Sequence, residues 1–416
     1  MTRSLKTLPN GARIVMDPMP SVATAAVGVW IGAGARHEPA KLNGLAHFLE
    51  HMAFKGAGGR DARQIAERVE ARGAVMNAAT DYERTGYFVR CLKADAADML
   101  SVALDLALDA DLPEGEMERE RNVVLQEIGE AADQPDDLVF ELAQTKAYPD
   151  HALGRPILGE RATLNAVTRD DLAGFVRSNY QAPRVVVSVA GAFDANEIED
   201  LASVRLSVLG SDAGEKETPP AFGAGVATRA RDLEQTHLVL SRPAPSALSE
   251  GRFAARAFAE IFGGGMASRL FQEVRETRGL AYAVDAYYET YSDAGRLNVY
   301  AGCAPEDAED VVGLTSDIWA DLAANGPSDQ ELERAKATLA AQFAMAAEAP
   351  AARAGSAAYE ALTHGRLVSL EETLSRIDDI SVSDVTQAAA NALSGGAVAA
   401  SVGPKLGLDA AGRFAT

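Results

Sequence analysis

The chain has 416 residues, of which 47% are hydrophobic and 24% are charged. This balance excludes an intrinsically disordered or collagen-like chain, and the length suits about two to four domains. The formal net charge of −21 argues against a nucleic-acid partner, because an acidic surface repels a phosphate backbone. The same charge either keeps the chain soluble or, if it is concentrated in a cleft, attracts basic peptides.

The two cysteines, Cys91 and Cys303, are too few for a disulfide framework or a cysteine-rich zinc site, which favours a reducing compartment. The N-terminal segment has no apolar stretch of signal-peptide length. The most apolar run, 22–35, is too short and too rich in glycine to span a bilayer. We therefore expect a cytoplasmic protein with no membrane partner.

The first element with chemical content is HFLEHMAF, which starts at His47. On a helix, His47 and His51 share one face, so both imidazoles can bind the same ion. Glu50 stands at the edge of that face, where it can reach a metal-bound water without being a ligand. H-x-x-E-H is the inverted zincin signature. The alternative is a helix whose His and Glu side chains are solvated on a polar face.

The next segment, 63–112, has the pattern of an amphipathic helix, Arg72-Gly73, a strand, a turn, a second strand and a helix over 95–110. A further helical pattern, 114–133, carries Glu120 and Glu127 on one stripe, two turns apart. Two His and a water leave tetrahedral zinc one ligand short, and a carboxylate from this helix would complete a His₂Glu site. The alternative for this Glu pair is a solvated helix face.

The second half of the chain repeats the first. The pattern of 63–112 recurs in 269–322, where Cys303 falls opposite Cys91, and the end of the first half, 164–191, matches 376–404. The stretch 209–228 has the composition of a linker.

The repeat predicts a zinc-binding domain over 1–208, a linker over 209–228 and a homologous domain over 229–416. The fold class is α+β, with two α/β sandwich domains from an internal duplication. Their strands are joined by short turns, which favours mostly antiparallel sheets covered by helices such as the one expected over 327–347.

These motifs together resemble the pitrilysin/insulysin family of zinc metallopeptidases, in particular its short-chain branch with mitochondrial processing peptidase β-subunits and bacterial homologues. That family has H-x-x-E-H followed about 75 residues later by a ligand Glu in a segment similar to ERNVVLQEI, and here 75 residues lie between His51 and Glu127. The resemblance implies one Zn²⁺ per chain, held by His47, His51 and Glu127, with Glu120 supporting the site by orienting a ligand.

The resemblance extends to substrate-binding segments. In MNAATDYERTGY, Asn77 and Ala78 take the places of an edge-strand Asn and following backbone that pair with substrate as an added strand. Without the family, Asn77 would be read as a turn residue. Arg275 and Tyr282 match an Arg and Tyr, seven residues apart, that reach the zinc site from the second domain. Without the family they would be a surface arginine and a core tyrosine.

The implied function is a zinc endopeptidase. Its two similar domains enclose a chamber that admits unstructured peptides, among them basic or presequence-like peptides. Glu50 is the implied general base, and Tyr282 and Arg275 stabilise the developing oxyanion. The second half has no H-x-x-E-H motif. The alternative is a non-catalytic scaffold or core-type subunit of the same fold. By resemblance we expect a homodimer, with a heterodimer containing a related subunit as the alternative partner arrangement.

Overall fold

The computed structural model of the protein describes residues 3–214 and 217–415. The strands, in chain order, are β1 (Ser4–Thr7), β2 (Arg13–Pro18), β3 (Thr24–Ile31), β4 (Gly56–Ala57), β5 (Arg60–Asp61), β6 (Val75–Thr80), β7 (Thr85–Leu92), β8 (Val185–Gly191), β9 (Gly225–Ala230), β10 (Thr236–Pro243), β11 (Ala281–Thr290), β12 (Gly295–Cys303) and β13 (Val398–Gly403).

The helices are α1 (Leu45–Ala53), α2 (Ala62–Glu70), α3 (Ala96–Leu108), α4 (Glu114–Asp133), α5 (Pro135–Ala147), α6 (Arg161–Ala166), α7 (Arg169–Asn179), α8 (Ala195–Ser207), α9 (Arg252–Phe262), α10 (Ala308–Asn325), α11 (Asp329–Ala346), α12 (Pro350–His364), α13 (Leu370–Asp378), α14 (Val382–Leu393), α15 (Lys405–Leu408) and α16 (Ala410–Ala415). None of the helices in the described residues combines the length and the apolarity needed to cross a bilayer.

Five strands follow the same order in the two large sheets, and the first sheet has β1 as an additional edge strand; the shared order supports the predicted duplication. The first runs β1-β2-β8-β3-β7-β6 and the second, read from the opposite end, β9-β13-β10-β12-β11. Each contains one parallel pair, β2 with β8 and β9 with β13, and all its other pairs are antiparallel. The predicted mixed α+β class with mostly antiparallel sheets is confirmed.

Two details of the repeat are visible in the backbone. Gly73 and Gly279 have φ values of 60° and 65°, in the region that favours glycine, where each half turns from a helix towards the edge strand. Cys91 is the second-to-last residue of β7, and Cys303 is the last residue of the equivalent strand β12. Both thiols are buried and free. The paired cysteines therefore fill equivalent apolar positions, as the sequence predicts.

The chain packs into two compact units, each with its own sheet. The first unit contains Met1–Ile128, Arg155–Glu217 and Ala344–Ser369. The second unit contains Gly129–Gly154, Thr218–Phe343 and Leu370–Thr416.

These units differ from the contiguous segments 1–208 and 229–416, because each takes one helix from the other half of the chain. In the second unit, Leu138, Val139 and Ala143 of α5 pack against the sheet. In the first, Ala357, Ala358 and Ala361 of α12 do the same. Periodicity identifies an apolar helix face but not the sheet that it covers. The predicted linker 209–228 also overlaps β9, which begins at Gly225, and two of its residues, 215 and 216, lie outside the described part.

The start of α1 is fixed by an acidic residue that precedes it. Glu38, only 4% exposed, accepts hydrogen bonds from the backbone N–H groups of Gly44 and Ala46 at 2.9 and 2.7 Å and from Asn43 Nδ2 at 3.0 Å. The two backbone N–H groups are among the donors that the first turn of a helix leaves unpaired. Gly44 has a φ of 95°, and a Cβ there would lie 2.6 Å from the carbonyl oxygen of Leu158, so only glycine fits.

Candidate metal centre

Helix α1 presents an apolar face to the core and a polar face away from it. Leu45, Phe48, Leu49 and Met52 are at most 1% exposed, and their spacing covers one side of the helix. The side chains of the H-x-x-E-H motif lie on the remaining face and are half-buried. The packing of α1 therefore decides which way the two imidazoles point.

Helix α4 brings the carboxylates to this face. Met117, Glu120, Arg121 and Val124 form its buried stripe, and Glu127 follows one turn later. The Arg121 guanidinium donates to the backbone oxygens of Leu164 and Val167, which ties α4 to the C-terminal end of α6.

Three donor atoms converge between α1 and α4. Glu127 Oε2 lies 3.5 Å from His51 Nε2 and 3.8 Å from His47 Nε2, and one ligand atom from each of the three residues lies within 4.8 Å of the others. Both distances exceed a normal hydrogen bond. In a tetrahedral zinc site with bonds near 2.05 Å, two ligand atoms lie about 3.4 Å apart. The two measured distances are close to this separation. The donors are therefore spaced for a shared ion.

The ring of His51 is oriented from its far side. His51 Nδ1 lies 2.9 Å from Glu120 Oε1, and the other oxygen of Glu120 lies 2.6 Å from Lys55 Nζ. A carboxylate paired with an ammonium accepts the Nδ1–H of the imidazole, which leaves the Nε2 lone pair for a cation. Lys55 was not singled out in the sequence, although it lies four residues after His51.

The protonation state of His47 also suits metal binding. Burial, together with the charge of His51, lowers the pKa of His47 to about 4. A neutral imidazole is the form that binds a metal. Two neutral nitrogens and one carboxylate are the donor set of catalytic His₂Glu zinc sites, so the residues present fit Zn²⁺.

Glu50 lies beside this donor set and outside it. Its Oε2 accepts a hydrogen bond from Thr80 Oγ1 at 2.5 Å. Burial raises the pKa of Glu50 and the charge of Glu127 adds to this, while the Thr80 hydrogen bond and the charge of His51 oppose the rise. A carboxyl with a raised pKa, next to a metal donor set, has the properties of a general base.

The predicted edge strand is confirmed: β6 forms one border of the first sheet. Asn77 Oδ1 accepts the N–H of Ala78 at 2.9 Å, so this N–H does not pair with β7. The turn role considered for Asn77 is wrong, since it lies inside β6.

Arg275 and Tyr282 lie together in the second unit. Arg275 is in a π-helical turn, Phe271–Thr277, and its guanidinium carbon lies 4.8 Å from the centre of the Tyr282 ring near the start of β11. Tyr282 is 78% exposed, so the core reading of this tyrosine is wrong. Their role towards a substrate stays a prediction.

The contact between Lys55 and Glu120 makes a prediction about metal affinity. Lys55→Met keeps the aliphatic stem but removes the ammonium that holds Glu120, so we expect zinc affinity to fall by about tenfold or more. Lys55→Arg should retain most of it. The measurement is competition with a chromophoric chelator, with the exposed Lys41→Met as the matched control. Wild-type affinity in Lys55→Met would show that this contact does not support the site.

Family models match both halves of the chain. Residues 13–161 match the family model for insulinase (peptidase family M16), and residues 166–339 match the peptidase M16 inactive domain. The chain is 36% identical to an uncharacterized zinc protease of Mycobacterium leprae over 96% of its length and 91% of the relative's. It is 34% identical to another from Bacillus subtilis over 91% and 93%, respectively.

Solved structures share the fold. A peptidase M16 inactive domain from Pseudomonas fluorescens superposes with a TM-score of 0.90 at 22% identity, covering 97% of this chain and 99% of that one. A protease from Helicobacter pylori gives 0.89 at 23% identity with the same coverage. The match of both halves to family models, together with the relatives at 36% identity, shows that the chain belongs to the M16 family of peptidases.

Proposed function

We propose that this chain is a zinc-dependent endopeptidase that hydrolyses unstructured peptides. The observation that carries the proposal is the convergence of His47, His51 and Glu127, with Glu50 beside them but not among the donors. Relatives named zinc proteases support the metal and the general class of reaction. The substrate and the individual residue roles are our inference.

We infer the course of the reaction from the positions of the side chains. His47, His51 and Glu127 would hold a zinc ion, which would supply Lewis-acid chemistry and lower the pKa of a water molecule towards 7. Glu50 takes the proton of the attacking water and passes it to the nitrogen of the leaving amine. Glu120 keeps the ring of His51 in place throughout, and Arg275 and Tyr282 are assigned to binding the substrate carbonyl.

The open edge of β6 supports an extended substrate. A peptide that adds a strand there forms main-chain hydrogen bonds, which give affinity without requiring a particular sequence. This mode requires an unfolded substrate, since the backbone groups of a folded protein are already paired. Asn77 and Ala78 are the residues that we assign to this pairing. The chamber implied by the family stays a prediction.

A digest of an unstructured peptide library by the purified chain tests the proposal. We expect cleavage that stops with o-phenanthroline and returns when zinc is added. Cleavage that continues after complete removal of metal would exclude the zinc mechanism. The same library decides the charge preference: the net charge of −21 favours basic over acidic peptides at low salt, and equal rates would contradict this preference.

A non-catalytic scaffold is the second candidate. Complex III2 from Candida albicans contains a chain with the same fold, at a TM-score of 0.83, 20% identity and 96% coverage of this chain. Against this alternative, the side chains of His47, His51 and Glu127 converge, and Glu50 lies beside them within hydrogen-bond distance of Thr80. Zinc analysis together with a peptidase assay separates the two candidates. A purified chain that binds no zinc and cleaves no peptide would exclude our proposal.

The assembly and compartment are also proposals. We infer that the chain needs no related subunit, since one chain carries both the zinc motif and the Arg275/Tyr282 pair. The proposal of a homodimer rests on the resemblance to the short-chain branch, and that of a cytoplasmic location on the two cysteines and the N-terminal segment. Light scattering of the purified chain measures the mass directly. A monomer, or activity only after addition of a second subunit, would contradict this inference.

A further inference from the structure

The carboxylate of Glu50 is held by a single hydroxyl from the neighbouring strand. Thr80 Oγ1 donates to Glu50 Oε2 at 2.5 Å, and α1 packs against β6 in the first unit. Within residues 3–214 and 217–415, this is the one hydrogen bond that the Glu50 side chain makes. Its other oxygen, Oε1, therefore keeps its lone pairs for a water molecule.

The same threonine lies on the open edge of the sheet. In an antiparallel ladder, residues alternate between pairs that exchange hydrogen bonds and pairs whose N–H and C=O groups point away. The N–H of Asp81 donates to the oxygen of Arg84 at 2.8 Å, so Asp81 belongs to a bonded pair. Thr80 and Ala78 are then the residues whose backbone groups point outward, which agrees with the capping of the Ala78 N–H by Asn77.

We propose that Thr80 is a positioning residue that sets the base Glu50 in register with a peptide strand paired to β6. The inference rests on the proposed function, because Glu50 acts as a general base only if the chain is a zinc endopeptidase. The backbone of Thr80 would pair with the substrate while its side chain holds the carboxylate that takes the proton. One residue thus links the position of the substrate backbone to the position of the base.

The chemistry of threonine suits this role. A β-branched side chain has restricted rotation about χ1, so the direction of the hydroxyl is fixed by the strand. The terminal torsion of a glutamate is broad and selects no single carboxylate orientation. Displacing a catalytic group by about 1 Å costs about 100-fold in rate. Loss of the hydroxyl should therefore lower kcat more than it raises KM.

Two substitutions separate positioning from packing. Thr80→Val removes the hydroxyl and keeps the shape, whereas Thr80→Ser keeps the hydroxyl. We expect kcat to fall by about 10- to 100-fold in Thr80→Val with KM changed less than about threefold, and Thr80→Ser to retain kcat within about fivefold. Thr24→Val, at an exposed strand residue, is the matched control and should behave as wild type.

A second readout does not depend on the metal or on turnover. In crystals of the metal-free variants, Glu50 Oε2 should stay within hydrogen-bond distance of position 80 in Thr80→Ser and should move in Thr80→Val. Wild-type kcat in Thr80→Val, an effect confined to KM, or an unmoved Glu50 carboxylate would each overturn the proposal. If the wild-type chain cleaves no peptide, the proposed function fails by itself, and the crystal comparison still decides the role of Thr80.

Discussion

Glu50→Gln is expected to bind zinc like the wild type and to lose peptide cleavage. The amide keeps the shape of the side chain and can still meet Thr80 Oγ1, but it cannot take a proton from the attacking water. General-base catalysis contributes about 10²- to 10⁴-fold, so kcat/KM should fall by that factor. Zinc content should be unchanged, because Glu50 is not among the three converging donors.

The control for this prediction is a glutamate on another helix. Glu70→Gln, at the exposed end of α2, removes the same charge and should leave both zinc content and cleavage unchanged. The assay combines metal analysis with cleavage of a fluorogenic peptide. If Glu50→Gln cleaved this peptide at the wild-type rate, Glu50 could not be the base.

The second large effect is expected for Glu127→Gln. The neutral amide loses the negative charge that pairs with a divalent cation, and only two strong donors remain for zinc. The loss of affinity should exceed the 10- to 100-fold typical of a residue that only hydrogen-bonds a ligand. Cleavage at limiting zinc should fall in parallel.

Thermal unfolding provides a separate measure for this variant. An ion that binds only the folded state raises the melting temperature with increasing ion concentration. Zinc should raise Tm in the wild type and in Glu114→Gln, which changes an exposed residue in the first turn of the same helix. An equal rise in Glu127→Gln would mean that Glu127 does not bind the metal.

The sequence predicts the metal donors because helical spacing is local. His47 and His51 must share a face of any helix, and Glu120 and Glu127 must share a stripe of α4. The distance between the two helices cannot be read from spacing; the expectation that Glu127 meets the two imidazoles came from the resemblance. The structure places the three side chains together.

Apart from the contact of Glu120, whose supporting role the resemblance implied, the supporting contacts were not predicted, since they depend on tertiary packing. Thr80 and Glu38 meet α1 from segments whose polar residues have no distinguishing pattern. Lys55 could have been found from its four-residue spacing after His51, but α1 ends at Ala53 and the pairing with Glu120 needs α4. A hydrogen bond between distant segments leaves no periodic signal in a single sequence.

The fold shows the same division between local and distant information. Short turns predict antiparallel neighbours such as β6 and β7, and the structure has them. The parallel pairs of β2 with β8 and β9 with β13 join strands from opposite ends of each half, so turn length is uninformative there. The exchange of α5 and α12 between the halves has the same cause.

Anomalous X-ray diffraction at the zinc edge, from crystals of the zinc-loaded chain, measures the position of the ion. We predict one peak per chain, about 2.0–2.2 Å from a ring nitrogen of His47, a ring nitrogen of His51 and a carboxylate oxygen of Glu127. A peak elsewhere, or full zinc occupancy with the carboxylate of Glu127 turned away from the ion, would contradict the account.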